Sequence, residues 1–347
     1  MENFKKNTPG ILLCLLIAVP AYCLGKLFPI VGGPVIAMLA GMLICSFFEV
    51  HGVAVIGVKY TSKKILQYAV VLLGFGLDLG VVLSTGRESL PVITVTVSAS
   101  LVTAFIICKI FHLPSKICTL IGVGSSICGG SAIAAAAPVI KADDDEIAQA
   151  LSVVFFFNVV AALIFPWFGS YLGMPHDAQI FGIFAGTAVN DTSSVTAAAS
   201  TWDSMWGLGS ETLDKAVTVK LTRTLVIIPV CIGLSFIFAG KLGEKGNTHK
   251  AENWSLRRIW KMIPSFILMF ITASLITTVS IRVFGIPQTL FGYFKEVSVF
   301  MIVMAMAAVG LNCSLIKLIK TGIKPIFLGF CCWFAITFSC LFTIGML

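Results

Sequence analysis

The sequence predicts an all-α polytopic membrane protein, and three observations carry the prediction. Of 347 residues, 58% are hydrophobic and 12% charged, with a mean hydropathy of +1.00; soluble domains need more charge than that to stay dissolved. Apolar runs recur at about 20 residues, the length that crosses a hydrocarbon core. The runs are continuous and lack period-two alternation, which selects helices over a barrel.

Taken in order, spans are predicted near 11–28, 34–48, 65–83, 90–110, 117–140, 147–168, 179–200, 214–239, 262–284, 297–312 and 325–345. The first mimics a secretory signal, but no small-x-small cleavage site follows and ten further spans do, so it reads as an uncleaved helix. Basic clusters fall at Lys5/Lys6, Lys59/Lys63/Lys64, Lys109/Lys116, the stretch from Lys241 to Lys261, and Lys317/Lys320/Lys324. Acidic stretches fall at "KADDDE" (Lys141–Glu146) and around Asp203, Glu211 and Asp214. Eleven crossings from a cytoplasmic N-terminus put every basic cluster inside, both acidic stretches outside and the C-terminus outside. Loop charge favours full crossings for 117–140 and 179–200; re-entrant hairpins are the alternative. The loop after span 8 carries "NWSLRRIWK", which suits a helix lying on the inner surface.

The chain reads as a single transmembrane domain, 1–347, with a 1 + 5 + 5 inverted repeat. Helix 11–28 is extra, spans 2–6 (about 30–168) form one repeat and spans 7–11 (about 178–347) the other. Spans 2 and 7 each carry a central Ala-Gly, Ala40-Gly41 and Ala185-Gly186. Span 5 then pairs with span 10, which has a weak point at Gly310-Leu311-Asn312. A rival alignment sets "GSSICGGSAIAAAA" (124–137) against "GTAVNDTSSVTAAA" (186–199), 62 residues later. It is read as shared chemistry more than ancestry.

Other classes are set aside on composition. The net charge of +8 sits in short loops between spans, which argues against nucleic acid as a partner. The eleven cysteines are scattered through apolar runs with no CxxC, and His occurs four times, so no metal site and no cofactor are expected. With no P-loop, HExxH, nucleophile elbow or haem motif, and no soluble domain, the chain is not expected to be an enzyme.

Three constellations carry chemistry. In span 5, Gly122, Gly124, Gly129 and Gly130 each weaken a helix by about 1 kcal/mol against Ala. Ser125, Ser126 and Ser131 offer hydroxyls, Cys128 lies in the same turn, and Pro138 removes a donor. An unwound turn exposes backbone groups that lipid does not tolerate unless they line a polar cavity. The half-helix beginning after Gly130 would aim its positive end there, at an anion; close helix packing is the alternative. In span 7, Asp191 sits among Asn190, Thr192, Ser193 and Ser194. A mid-membrane carboxylate costs about 2.5–3.5 kcal/mol and normally lines a pathway or pairs with a cation; a surface turn is the alternative. In span 8, Lys220 and Arg223 share one helical face. They either snorkel to the interface or offer donors to carboxylate, sulfonate or phosphate oxygens. Asn158 and Asn312 are amides able to help coordinate an ion, and Asp78 reads as an interface residue.

Together "GVGSSICGGSAIAAAAPVIKA" (122–142), "FGIFAGTAVNDTSSVTAAA" (181–199) and "KAVTVKLTR" (215–223) resemble the proposed sulfate exporter (YeiH-like) family of bacterial inner-membrane proteins, over nearly the whole length. That family stands within the cation/proton antiporter and bile-acid symporter group, whose Gly-Leu-acid-Leu element "GFGLDLG" (74–80) also resembles. The resemblance implies a scaffold, a mobile core and two partly unwound helices that cross, and it implies the bacterial inner membrane. Asn190 stands where the family often has His, which puts proton coupling at that position in doubt.

The expected function is ion-coupled secondary transport of a small anion such as sulfate, a sulfonate or a related organic anion. Substrate contacts are expected from Ser125, Ser126, Cys128, Gly129, Gly130, Ser131, Asn190, Thr192, Ser193, Lys220 and Arg223. Asp191, Asn158 and Asn312 are the ion-coupling candidates, with Na+ or H+ as the ion. A cation/proton antiporter using Asp191 is the alternative, and a non-transporting sensor or scaffold ranks below it. Besides substrate and bilayer, a homodimer is one partner such a chain accommodates.

Overall fold

The computed structural model describes residues 2–28, 31–47, 52–243, 265–287, 289–312 and 322–346. Regular structure among the described residues is helical throughout: α1 (Glu2–Leu27), α2 (Gly33–Phe47), α3 (Val53–Tyr60), a π-helical turn (Thr61–Ile65), α4 (Leu66–Gly74), α5 (Leu79–Phe111), α6 (Ser115–Ser126), α7 (Gly130–Ile140), α8 (Asp144–Tyr171), α9 (Ala178–Ala188), α10 (Thr192–Trp206), α11 (Glu211–Thr224), α12 (Ile227–Gly243), α13 (Ser265–Arg282), α14 (Thr289–Asn312) and α15 (Ile323–Thr343). Seven stretches within them are long and apolar enough to cross a membrane, and shorter apolar helices include Gly33–Cys45, Gly130–Ile140 and Ala178–Ala188. The all-α polytopic class follows.

Each predicted span has its helix, with informative departures. Span 3 ends at Gly74 rather than 83, because Asp78 opens a new helix: its Oδ1 accepts from Gly80 N at 2.7 Å. That helix, α5, runs 33 residues, about 50 Å of axis. Span 8 is interrupted at Leu225 and Val226. Pro229 explains the gap, since its ring conflicts with the carbonyl of the residue four before it. The surface helix expected near residues 252–261 and the lysines at 317 and 320 lie outside the described residues.

The two unwound segments are in spans 5 and 7. Span 10, the expected partner of span 5, is continuous through Gly310 to Asn312. Gly310 has another purpose. A Cβ there would fall against the Met38 carbonyl oxygen, and one on Gly41 would lie 2.5 Å from Ala307 O. The glycines let α2 and α14 touch backbone to backbone, which is a packing device of membrane helices. The rival alignment describes the breaks instead. α6 ends at Ser126 and α9 at Ala188; α7 starts at Gly130 and α10 at Thr192, so each boundary recurs 62 residues later.

The chain divides into two compact units. Unit 1 comprises 1–89, 160–219 and 265–315. Its helices are tied by Ser298 Oγ to Ala69 O (2.6 Å), Ser274 Oγ to Gly74 O (3.1 Å) and Thr277 Oγ1 to Phe75 O (2.9 Å), so small hydroxyls occupy carbonyls of the neighbouring helix. Unit 2 comprises 90–159, 220–264 and 316–347. Its core gathers Leu120, Ile121, Ile133, Val153, Leu328 and Cys332 around the break between α6 and α7.

Candidate functional site

In unit 2, the break is built by the conformation of two residues. Ile127 leaves the helix at φ −122° and ψ −87°, and Gly129 takes φ +67° and ψ −120°, which only glycine adopts readily. Gly129 N bonds back to Gly124 O at 2.9 Å, and Gly129 O accepts from Ile133 N to start α7. The carbonyls of Ser125, Ser126 and Ile127 lose their helical donors in the process.

Those carbonyls are met by the two cations singled out in span 8. Lys220 Nζ donates to Ile127 O at 2.6 Å, Arg223 Nε to Ser126 O at 2.8 Å, and Arg223 Nη2 to Ser125 O at 3.0 Å. Both side chains are 0% exposed, so neither snorkels. Lysine and arginine at the C-terminal end of a helix also oppose its dipole. The serines thus contribute oxygens different from those expected: their carbonyls face the cations, and the Ser126 hydroxyl bonds within its own helix, to Val123 O at 3.0 Å. Cys128 is buried in the same turn, and Asn158 is buried in α8 of this unit. Ser131, expected beside the substrate, lies on an exposed face of α7. Among the described residues of unit 2, the acidic ones form the run 143–146, away from the break. Two buried positive charges and the positive end of α7 therefore make the centre of this unit electropositive.

In unit 1, α9 ends at Ala188, Val189 and Asp191 are extended, and α10 begins. Asp191 is the N-cap of α10. Its Oδ2 accepts from Ser193 N at 3.0 Å and, at short range, from the Ser193 hydroxyl. Asn190 and Ser193 are buried, while Asp191 and Thr192 are half-buried. Asn312 is set apart from both breaks in sequence position and exposure: it ends α14 exposed, its Nδ2 3.3 Å from Ser62 Oγ. Asp78 pairs with the exposed Arg282 at 3.1 Å, in keeping with an interface residue.

Sequence reading passed over a third group, also in unit 1. Asp203 is 3% exposed, and its two oxygens accept from Thr212 N and Leu213 N, each at 2.9 Å, at the start of α11. Two residues on, Asp214 is 7% exposed and pairs through Oδ2 with Lys295 of α14 at 2.5 Å. A cavity of about 420 Å³ opens beside Asp203, lined also by Tyr22, Lys26, Ser200, Ser204 and Gly209. The acidic residues had been assigned to a surface loop, and Lys295 lay just ahead of the predicted span 10. The available signal was that each stood within a turn of a span boundary. Among the described residues, no group of three or more His, Cys, Asp or Glu side chains could hold a metal ion.

Comparison with known proteins places the chain. The family described as Conserved hypothetical protein 698 matches residues 9–329. A UPF0324 membrane protein of Fusobacterium nucleatum is 52% identical over 338 residues, 94% of each chain. One from Streptococcus pyogenes serotype M18 is 53% identical over 337 residues, covering 97% of this chain and 96% of its own. Another, from Streptococcus mutans, is 52% identical over 346 residues, 99% of this chain and 97% of its own. The chain therefore belongs to the Conserved hypothetical protein 698 family, the multi-pass UPF0324 membrane proteins found across bacteria.

Proposed function

We propose that this protein is a secondary transporter of a small anion in the bacterial inner membrane, not an enzyme. One observation carries the reading: Lys220 and Arg223, both fully buried, are held against the carbonyls of a broken helix in unit 2. Burying two cations at one place is costly, and structural needs alone would be met by neutral donors. The same place has the N-terminus of α7, a second source of positive potential. Sulfate, a sulfonate or a related organic anion fits that field. Arg223 supplies the guanidinium charge that such oxygens seek, with Nε and Nη2 committed to the Ser126 and Ser125 carbonyls. The resemblance adds ion coupling and elevator-like access, and loop charge adds a cytoplasmic N-terminus and an outer C-terminus.

The rival reading, cation/proton exchange at Asp191, meets a carboxylate already engaged by Ser193 as a helix cap. The names of the relatives say only that they are membrane proteins.

The test is anion flux into liposomes carrying the purified chain. Arg223→Ala should lower flux at sub-saturating sulfate or sulfonate by at least about tenfold, the equivalent of roughly 1.4 kcal/mol. Unchanged flux and affinity across the anion series would remove Arg223 from the site.

A further inference from the structure

The buried group in unit 1 sets two carboxylates, Asp203 and Asp214, against one ammonium, Lys295, which acts electrostatically on both. Asp203 has both oxygens engaged by backbone N–H groups. Asp214 does not: Oδ2 holds Lys295, and Oδ1 is buried with no hydrogen-bond partner among the described residues. The Thr212 hydroxyl, 0% exposed at the same helix start, acts on the Asp203 carboxylate. A buried carboxylate oxygen left over at a helix start is costly unless something binds it.

The chemistry of that something is constrained. Hard oxygen donors suit alkali and alkaline-earth ions rather than soft metals. A divalent ion calls for a larger negative charge than this group offers. Two carboxylates against one ammonium leave at most one net negative charge, which matches a monovalent ion. The other charged group that acts on Asp214 is Glu211, exposed on the first turn of α11, and it adds negative potential. The cavity reaches the group at Asp203, which forms part of its wall, and at Val299, one turn beyond Lys295 on α14. Lys26 at the same cavity is turned onto the Tyr22 ring, 4.6 Å from its centroid.

We propose that Asp214, with Asp203 beside it, binds the coupling cation, a sodium-like monovalent ion that competes with the Lys295 ammonium for the Asp214 carboxylate. The word coupling rests on the anion-transport reading; the cation site itself does not. Competition gives the site a signature that a structural ion pair lacks. Removing the ammonium should tighten cation binding, whereas removing a merely structural partner should only weaken the fold.

The experiment measures the thermal unfolding midpoint of the purified full chain with sodium chloride against choline chloride, at fixed ionic strength and pH and without added oxyanion. The wild type should show a saturable rise with sodium. Asp214→Asn should abolish it, Asp78→Asn should retain it, and Lys295→Ala should reach half-saturation at about tenfold lower sodium or less. A wild type indifferent to sodium, including one that responds to pH alone, overturns the proposal. So does a sodium response that survives in Asp214→Asn, or one that is lost only in Asp191→Asn. Should Asp214→Asn not fold, Lys295→Ala decides: unchanged sodium affinity overturns the proposal. Failure of the Arg223 flux test beside an Asp214-dependent sodium response would remove anion transport and leave the cation site standing.

Discussion

At the scale of residues, Gly129 shows how one backbone angle makes a site. Its φ of +67° with ψ of −120° turns the chain out of α6 and into α7, and it frees three carbonyls for Lys220 and Arg223. A Cβ at that position is strained whatever space surrounds it. Gly129→Ala should cost about 1–3 kcal/mol, read as a lower unfolding midpoint, and should reduce anion flux with it. Gly130 is different: a Cβ there meets only the ends of Leu151 and Phe155, at 3.3 Å. Gly130→Ala should be close to neutral in the same assay, and a loss equal to that of Gly129→Ala would remove the backbone angle as the cause. The Gly-Gly pair was legible in the sequence; which glycine bends the chain was not, because composition carries no dihedral angle.

Among elements, the acidic residues have a common employment. Asp78 serves α5, Asp177 α9 and Asp191 α10 as carboxylate acceptors at helix starts, and Asp203 does so for α11 from a distance. Asp143 and Glu146 form a reciprocal capping box at α8, 2.8 Å and 3.0 Å across its two bonds. In an apolar environment the first-turn N–H groups of a helix need such partners. Capping therefore accounts for Asp143 and Glu146 in "DDDE" and for Asp191 in "NDTSS". The small residues of span 10 misled. Gly310 weakens a helix in isolation, yet in α14 it supports close contact with α2. Gly310→Val should lower stability by about 1–3 kcal/mol through overpacking, measured by thermal unfolding, with no sodium-specific component.

For the whole molecule, the helical segments were readable because hydrophobic run length is a direct record of membrane thickness. The pairing of broken helices was not, because span 5 was matched to span 10 by counting, whereas the breaks follow the 62-residue spacing. Lys220 and Arg223 were found as charges out of place; Asp214 and Lys295 were missed because span ends are where charge is ordinarily expected. The proposed sidedness rests on the lysine distribution and is open to a direct check. In a chain whose cysteines are replaced, a single cysteine at the exposed Asp145 should react with an impermeant maleimide from the outside of intact cells. Reaction from the cytoplasmic side only would mean that 117–140 does not cross.

The clamp on the break also has an order in time. The carbonyls of Ser126 and Ile127 are made 97 and 93 residues before the side chains that meet them. At roughly 5–20 residues per second, synthesis leaves them waiting about 5–20 s. Neither α6, of 12 residues, nor α7, of 11, is long enough to enter lipid alone. The carbonyls of the break therefore need water, the insertion machinery or another protein surface as partner until α11 emerges. A chain stalled before residue 220 should be a substrate for membrane quality control, and one stalled after residue 223 should escape it.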